Sequence, residues 1–438
     1  MRVSRLVLTA LMFFAFAPGL ITAAETELTI SSDKLDATCS IGDTVTFTVV
    51  CSEKDAAVDY VLSIDGETEL AKGRLELKRG RAIVRGALDQ PGFLRLQVTL
   101  GQGEQAVRAY WGVAVEPMAI RSAAVLPEDF GRFWAQGKAE LLRVAPDFRI
   151  EEVRDDEHSS TLYRVSVANI EGSRMFCWYR VPQGEGPFPA VLSIPGAGVR
   201  REGTREYYAE AGFAVLTMAV HGIGQDHPLE YYNTIRRGAL YGYPYFGIDD
   251  PYRYYYRRMV LGAIRCIDFL YSRDEVDTTR VAVAGSSQGG GMSLLVASLD
   301  ERIKALTANV PALCDHAGSL QGRPSGWPRL LRNAGNHERR RVMRTMAYFD
   351  AATAASRIKV PARVSAGFID RTCAPSTVMA AFNNLQGPRT IEMVPGMGHD
   401  TPGGYGTEWP RWLMDALNGK VEGQNIIQGV PGWDWQQR

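Results

Sequence analysis

A glycine-rich segment in the second half of the chain holds a serine in a pattern suited to nucleophilic chemistry. The apolar run Val281 to Ala284 is followed by Gly285-Ser286-Ser287-Gln288-Gly289, and a helical stretch follows from Met292. Strand, sharp turn and helix in this order predict a nucleophile elbow, in which a strained serine needs small residues two positions before and after it. Gly285 and Gly289 meet that need. Ser287 is therefore the predicted nucleophile of an acyl transfer.

A serine hydroxyl attacks a carbonyl efficiently only when a base takes its proton, and the usual base is a histidine. In the order expected for a nucleophile elbow, this histidine is the last catalytic residue along the chain. His399 meets the condition because it lies in Pro395-Gly396-Met397-Gly398-His399, a loop after the final strand-like run. We predict His399 as the general base. The histidines that we interpret as surface or structural residues are His158, His221, His227, His316 and His337.

The acid that orients this base should lie at the end of a strand between the serine and the histidine. The run Arg363 to Ile369 leads directly into Asp370, which we predict as the third member of the triad. Its rivals are Asp315, Asp350 and Asp400. Asp350 precedes a helical stretch as an N-cap residue would. Asp400 is adjacent to the histidine along the chain and cannot easily reach its ring.

Negative charge that develops on an attacked carbonyl is stabilised by backbone N–H donors. The N–H of Gln288, directly after the nucleophile and at a helix N-terminus, is the first predicted donor. The second should come from the loop after an earlier strand, where Ile194-Pro195-Gly196-Ala197-Gly198 is the candidate. We select the N–H of Ala197 as this donor. The alternative for this loop is a glycine-rich turn with a structural role only.

Strand and helix patterns alternate around these residues from about residue 118 onward. The strand-like runs are Ala190 to Ile194, Ala214 to Val220, Val281 to Ala284, Ala305 to Val310, Arg363 to Ala366 and Thr390 to Val394. Helical stretches lie near residues 128–142, 202–211 and 252–271. This alternation predicts an α/β fold of the α/β-hydrolase type, with a mostly parallel central sheet and helices on both faces. Such a sheet gathers reactive groups at the carboxyl ends of its strands.

The chain before residue 118 has a different pattern. Residues 1–24 are typical of a signal peptide, with Arg2 and Arg5 before an apolar run and small residues before Glu25. Residues 25–117 alternate short β-branched runs with turns such as Asp65-Gly66, which predicts a small all-β, sandwich-like accessory domain. Residues 118–438 then form the predicted catalytic domain. The leader predicts export to a periplasm or to the extracellular space.

Composition argues against several classes of partner. The 49 basic residues equal the 49 acidic residues, so no net field attracts nucleic acid. After the leader, no segment has the length and apolarity of a membrane span. The cysteines form neither a CxxC motif nor a zinc-like spacing with histidine, so we predict no metal and no cofactor. For Cys39 and Cys51, a disulfide and free buried thiols are both open.

Further motifs resemble the acetyl xylan esterase and cephalosporin C deacetylase family of serine carbohydrate esterases. The similar segments are Asp129-Phe130, Phe133-Trp134, Tyr254 to Arg257, Ser286 to Gly290, Val310-Pro311, Leu313-Cys314-Asp315, and Gly367 to Asp370 with Cys373, Pro375, Ser376 and Thr377. The resemblance covers roughly Val125 to Leu417. Two segments depart from the family. Pro195-Gly196-Ala197 stands where it usually has His-Gly-Tyr, and His221 to Gln225 stands where it has Arg-Gly-Gln.

The resemblance implies an esterase that removes acetyl or other small acyl groups from plant oligo- or polysaccharides through an acyl-enzyme intermediate. Members of that family often form hexameric rings, so a homo-oligomer is one possible assembly, although the extra N-terminal region departs from the family pattern. The aromatic segment Tyr231 to Tyr256 offers a stacking surface for sugar, although aromatic residues at this density more often form core or interface.

Two other functions stay open. A serine peptidase of the prolyl-oligopeptidase type shares the elbow, but it usually has a much larger N-terminal domain than this chain provides. A non-catalytic glycan-binding protein on a hydrolase scaffold is the other alternative. The presence of serine, aspartate and histidine in the expected order argues against it.

Overall fold

The computed structural model of the chain describes residues 26–429, so the predicted signal peptide lies outside the described residues. The first part of the described chain is all β. Its strands are β1 (Leu28–Ser32), β2 (Thr38–Cys39), β3 (Val45–Cys51), β4 (Ala57–Ile64), β5 (Thr68–Glu76), β6 (Arg81–Gly86), β7 (Gly92–Leu100) and β8 (Val107–Val115). They form a three-stranded sheet in the order β1-β3-β6 and a five-stranded sheet in the order β2-β8-β7-β4-β5.

Strand β3 illustrates how these two sheets pack. Val45, Phe47 and Val49 are fully buried, whereas the residues between them are partly exposed. Because successive side chains of a strand point to opposite faces, one face of the small sheet packs against the larger sheet in a shared apolar core. The predicted all-β region is confirmed. The sequence patterns miss β5, whose side chains are mostly exposed and show no apolar alternation.

The rest of the chain alternates helices and strands. These elements are α1 (Phe130–Leu142), β9 (Arg149–Val153), β10 (Thr161–Ala168), β11 (Arg174–Val181), β12 (Phe188–Ile194), α2 (Glu206–Glu210), β13 (Ala214–Ala219), α3 (Leu229–Arg237), α4 (Tyr255–Tyr271), β14 (Val276–Ser286), α5 (Gln288–Leu299), β15 (Ala305–Asn309), α6 (Arg339–Phe349), α7 (Ala351–Ala354), β16 (Ala362–Gly367), α8 (Pro375–Asn384), β17 (Arg389–Val394), α9 (Glu408–Leu417) and β18 (Gln424–Gln428).

One ten-stranded sheet, in the order β18-β17-β16-β15-β14-β12-β13-β11-β10-β9, organises this part. Strands β12 to β18 run parallel to one another, whereas β9, β10 and β11 form an antiparallel edge. The predicted α/β-hydrolase fold is confirmed. The chain order reverses at β12, which lies between β13 and β14, and open α/β sheets bind ligands at such a switch point.

The predicted helix over residues 202–211 is wrong in length, because only Glu206–Glu210 is helical. The residues before it are held in another conformation: Glu202 is buried, and its N–H donates to the Gln225 side-chain oxygen at 2.7 Å. Arg205, with φ 55° and ψ 51°, lies in the left-handed region, so the helix begins only after it. None of the described helices is long and apolar enough to cross a membrane.

All six cysteines are free thiols in the structure. Cys39 and Cys51 are therefore not bridged, although they lie on strands of facing sheets. Cys177 and Cys266, both buried, place their sulfur atoms 3.6 Å apart. This separation is a contact between thiols, since a disulfide bond is about 2.05 Å long.

A buried ion pair joins helix α9 to the two strands that precede the predicted acid and base. Arg363 on β16 donates to the Glu392 carboxylate on β17 at 2.8 Å, and each side chain is 4% exposed. The indole N–H of Trp409 on α9 donates to the same carboxylate at 3.1 Å, and the Arg363 guanidinium lies 4.9 Å from the Trp409 ring centre. Removing one partner of such a pair leaves a charge that water cannot solvate.

We expect Arg363→Met to lower the free energy of unfolding by about 3 kcal/mol, because Glu392 would stay buried without its cation. Arg411→Met, an exposed position on the same helix α9, should change it by less than about 0.5 kcal/mol. Urea unfolding followed by tryptophan fluorescence measures both variants. Equal stability of the two variants would contradict the prediction.

Candidate active site

The turn between β14 and α5 has the strained geometry expected of a nucleophile elbow. Ser287 has φ 56° and ψ −122° and caps helix α5. A Cβ atom on Gly289 would overlap the Ile194 carbonyl oxygen, and one on Gly285 would overlap the Gly289 carbonyl. The Ser287 N–H donates to the Asn309 carbonyl at 2.9 Å, which fixes the turn to strand β15. The glycines therefore allow a close backbone approach that any side chain would prevent.

Ser287, His399 and Asp370 form one hydrogen-bonded line. His399 Nε2 lies 2.9 Å from Ser287 Oγ, and His399 Nδ1 lies 2.7 Å from Asp370 Oδ2. Asp370 is fully buried, and its other oxygen accepts the N–H groups of Thr372 and Cys373 at 2.7 and 3.0 Å. An ionised carboxylate only accepts hydrogen bonds, so Nδ1 carries the proton and Nε2 is free to accept the serine proton.

The rivals of Asp370 have other partners. Asp315 pairs with Arg323 at 2.8 Å. Asp350 caps helix α7 by accepting the N–H groups of Ala352 and Thr353, as the sequence predicted. Asp400 accepts the N–H of Thr401 at 2.7 Å. Among these carboxylates, only that of Asp370 contacts the His399 ring.

One predicted oxyanion donor begins helix α5, and the other lies on a loop that approaches Ser287. Gln288 is the first residue of α5, a position at which the helix offers no acceptor for the backbone N–H. The loop after β12 passes close by, since a Cβ atom built on Gly196 would be 3.6 Å from the Ser287 Cβ. Ala197 follows in this loop, and within residues 26–429 its N–H donates no hydrogen bond. Both N–H groups can therefore serve a substrate oxygen.

Two tyrosines hold the side chain of Gln288. Its Oε1 atom accepts the hydroxyls of Tyr243 at 2.6 Å and Tyr256 at 2.7 Å, and all three side chains are buried. The Tyr243 oxygen also accepts the N–H of Gly198 at 3.3 Å. One hydroxyl thus connects the loop that carries Ala197 to the residue that follows the nucleophile. The aromatic segment is core at these positions rather than a sugar-stacking surface.

His221 supports the same loop from its other side. Its Nε2 lies 3.1 Å from the Gly198 carbonyl oxygen, and its Nδ1 lies 3.0 Å from the Tyr255 hydroxyl. Burial lowers the pKa of His221 to about 4, so the ring is neutral at pH 7. Nε2–H then donates to Gly198, and Nδ1 accepts from Tyr255. No local pattern indicates this role, because the contacts join residues far apart in the chain.

Asp370, Cys373 and His399 place donor atoms within 4.8 Å of one another, a spacing that a metal could use. The Asp370 and His399 atoms in this group are already bonded to each other. Burial raises the pKa of the Cys373 thiol well above its ordinary value, and metals bind the thiolate rather than the thiol. The Asp370 and His399 atoms of this group thus belong to the hydrogen-bonded line that ends at Ser287.

Comparison with known proteins assigns the chain to a family. The profile of the acetyl xylan esterase (AXE1) family matches residues 116–416, well over half of the chain. The chain belongs to the acetyl xylan esterase family. The acetyl esterase Axe7A of Xylanibacter ruminicola is 30% identical over 385 residues, which span 85% of this chain and 86% of that protein. The matched 85% of this chain is longer than the part from residue 116 onward. The similarity to Axe7A therefore extends into the N-terminal strands.

Solved structures of acetyl xylan esterases match a smaller part of the chain. The enzyme from Paenibacillus sp. R4 aligns with a TM-score of 0.61 and 30% identity, over 68% of this chain and 98% of that one. Acetyl xylan esterase 1 from Thermoanaerobacterium sp. JW/SL YS485 aligns with a TM-score of 0.60 and 27% identity, over 69% and 98%. About two-thirds of this chain thus aligns with almost the whole of each of these two acetyl xylan esterases.

We expect Tyr243→Phe to lower kcat for a small aryl acetate by about tenfold, because the oxyanion loop and Gln288 both lose a hydrogen-bond partner. KM should change little, since this hydroxyl is buried and bonded to Gln288 and Gly198. The matched control is Tyr241→Phe, which removes the hydroxyl of a nearby tyrosine that is 77% exposed. Steady-state kinetics of the two variants measures the effect, and equal kcat values would contradict it.

Proposed function

We propose that the protein is an exported serine esterase that removes acetyl groups from sugar hydroxyls of acetylated plant oligo- or polysaccharides. The observation that carries the proposal is the line from Asp370 through His399 to Ser287, with hydrogen bonds of 2.7 and 2.9 Å, inside the fold of the acetyl xylan esterase family. The relatives, an acetyl esterase and two acetyl xylan esterases, support acetyl as the acyl group and xylan as the polymer. The leader pattern of residues 1–24 supports export.

Acylation begins when the Ser287 oxygen attacks the ester carbonyl carbon and His399 Nε2 takes the hydroxyl proton. The carbonyl oxygen then carries negative charge, which the N–H groups of Gln288 and Ala197 stabilise. When the intermediate collapses, the carbon–oxygen bond to the sugar breaks. His399 gives its proton to the leaving sugar oxygen, and the acetyl group stays on Ser287.

Deacylation repeats these steps with water in place of the serine. His399 takes a proton from water, the resulting hydroxide attacks the acetyl carbonyl, and the bond to Ser287 breaks. His399 then returns the proton to the serine oxygen, and acetic acid leaves and ionises to acetate in water. Asp370 stabilises the imidazolium form of His399 in both halves and holds the ring in the productive tautomer.

The proposal also assigns a role to each part of the chain. Residues 118–438 carry the whole chemistry, and residues 25–117 form an accessory region. A peptidase of the prolyl-oligopeptidase type is disfavoured, because the all-β part before residue 116 consists of two small sheets. A glycan-binding protein without activity would not need a strained serine, since such strain persists chiefly where chemistry uses it.

Ser287→Ala should lower acetate release from acetylated xylan and from a small aryl acetate by at least about a thousandfold, because the nucleophile is lost. Asp370→Asn should lower kcat by about 10⁴, because the His399 ring would adopt the wrong tautomer. The matched control is Ser298→Ala on helix α5, whose hydroxyl bonds only the Leu295 carbonyl in the described chain. That variant should keep its activity.

Acetate release by an enzyme-coupled assay measures all three variants beside the unmodified mature chain. Activity of the chain with loss in Ser287→Ala supports the serine esterase. If the unmodified chain cleaves peptides and not acetyl esters, the peptidase is the better assignment. If it cleaves no acyl compound and binds xylan, the glycan-binding alternative replaces the proposal.

A further inference from the structure

The turn between β4 and β5 of the N-terminal region lies against the loop that carries Asp370. We define the turn as residues 65–67 and the acid loop as residues 368–374, between β16 and α8. Asp65 and Gly66 have φ values of 53° and 74°, which make the hairpin tight. The Asp65 N–H donates to the Phe93 carbonyl at 2.8 Å, so the turn is fixed to strand β7.

Apolar contacts join the same two regions. The rings of Phe93 on β7 and Phe368 in the acid loop are fully buried and meet edge to face with their centres 4.9 Å apart. A Cβ atom on Gly112 of β8 would lie 2.6 Å from the Phe368 Cβ, so the glycine allows the loop to rest on the strand. Phe368 is two residues before Asp370. The five-stranded sheet therefore packs directly against the acid loop.

Asp65 supplies a cap that helix α8 lacks locally. Its Oδ1 atom accepts the N–H of Ser376, the second residue of α8, at 3.3 Å. The local cap position is Ala374, whose methyl side chain cannot accept a hydrogen bond. Helix α8 begins directly after the acid loop, so the position of its first turn sets the end of that loop. Asp65, only 1% exposed, thus holds this end from a distant part of the chain.

Glu67 holds the acid loop at a second point. Its carboxylate pairs with the Arg329 guanidinium at 2.8 Å. The same guanidinium donates to the carbonyl oxygen of Arg371 at 2.6 Å. Arg371 directly follows Asp370. Glu67 therefore orients the cation that binds the backbone next to the predicted catalytic acid.

We propose that the turn 65–67 is a positioning element of the active site, which fixes the acid loop and through Asp370 the orientation of His399. The inference rests on the proposed role of Asp370 in catalysis. The two solved relatives are matched by about two-thirds of this chain, whereas the similarity to Axe7A extends into the N-terminal strands. In this chain the N-terminal region is then part of the catalytic unit rather than an appended module.

The hydrogen bond from the Ser376 N–H to Asp65 needs an acceptor oxygen but does not need a negative charge. Burial raises the pKa of Asp65 to about 7, so the carboxyl is only partly ionised at neutral pH. The charged groups that act on Asp65 are Arg323 and Arg95, and Arg95 in turn lies near Arg371 and Asp370. An asparagine keeps the acceptor oxygen without the charge. Asp65→Asn is thus a conservative variant that should restore what Asp65→Ala removes.

The test measures kcat, KM and the pH profile of kcat/KM for an aryl acetate, with the thermal midpoint of each variant. Asp65→Ala should lower kcat by about tenfold with KM within about twofold, because the acid loop shifts while substrate binding does not. The pKa on the acidic side of the kcat/KM profile should fall, because a displaced carboxylate stabilises the protonated His399 less. Asp65→Asn should retain most of the kcat.

Two controls separate positioning from stability. Val49→Ala removes buried volume in β3, in the sheet that does not carry the turn, and should lower the thermal midpoint while leaving kcat and the pH profile unchanged. Glu67→Ala should lower kcat by about threefold. Glu69→Ala, two residues further along, removes only an exposed pair with Lys72 and should have no effect.

The inference is overturned if Asp65→Ala, when folded, keeps the kcat and pH profile of the unmodified chain, or if Val49→Ala shows the same loss. If Asp65→Ala does not fold, the comparison of Glu67→Ala with Glu69→Ala decides, and equal kcat values overturn the inference. Its failure is distinct from that of the proposed function. The proposed function fails instead if Ser287→Ala keeps its activity or if the unmodified chain has none.

Discussion

The close approach of Gly289 to the carbonyl oxygen of Ile194 is the constraint on which the rest of the site depends. It brings the start of helix α5 against the end of strand β12, so the residue before the helix must adopt a strained turn. Ser287 takes that conformation with φ 56°. The same approach brings the loop after β12 beside the nucleophile, where a Cβ atom on Gly196 would lie 3.6 Å from the Ser287 Cβ.

Parallel strands account for the convergence of the other groups. Strands β14, β16 and β17 end at the same edge of the sheet, and each is followed by one member of the hydrogen-bonded line. The ion pair of Arg363 and Glu392 joins β16 to β17, just before the acid loop and the histidine loop begin. The strand register brings these loops together, and contacts from Tyr243, His221 and the turn 65–67 then hold them in place.

Much of this arrangement was predictable from local patterns. The elbow and the parallel strands leave clear marks, because strained turns need glycine and buried strands need continuous apolar runs. The supports around them leave none. Tyr243 contacts Gln288, His221 contacts Gly198 and Asp65 contacts Ser376 only after the chain has folded. The antiparallel edge was also missed: β9 is largely exposed, and polar residues such as Arg164 in β10 and Arg180 in β11 interrupt the apolar runs of the other two strands.

The ring contact between Phe93 and Phe368 has a consequence for how the chain is made. During synthesis the N-terminal sheets emerge first, yet the partner of Phe93 follows only after most of the ten-stranded sheet has been produced. Until then an apolar surface on β7 has nothing to cover it, and contacts of such large sequence separation form slowly. The early sheets therefore cannot complete this contact until the acid loop has been synthesised.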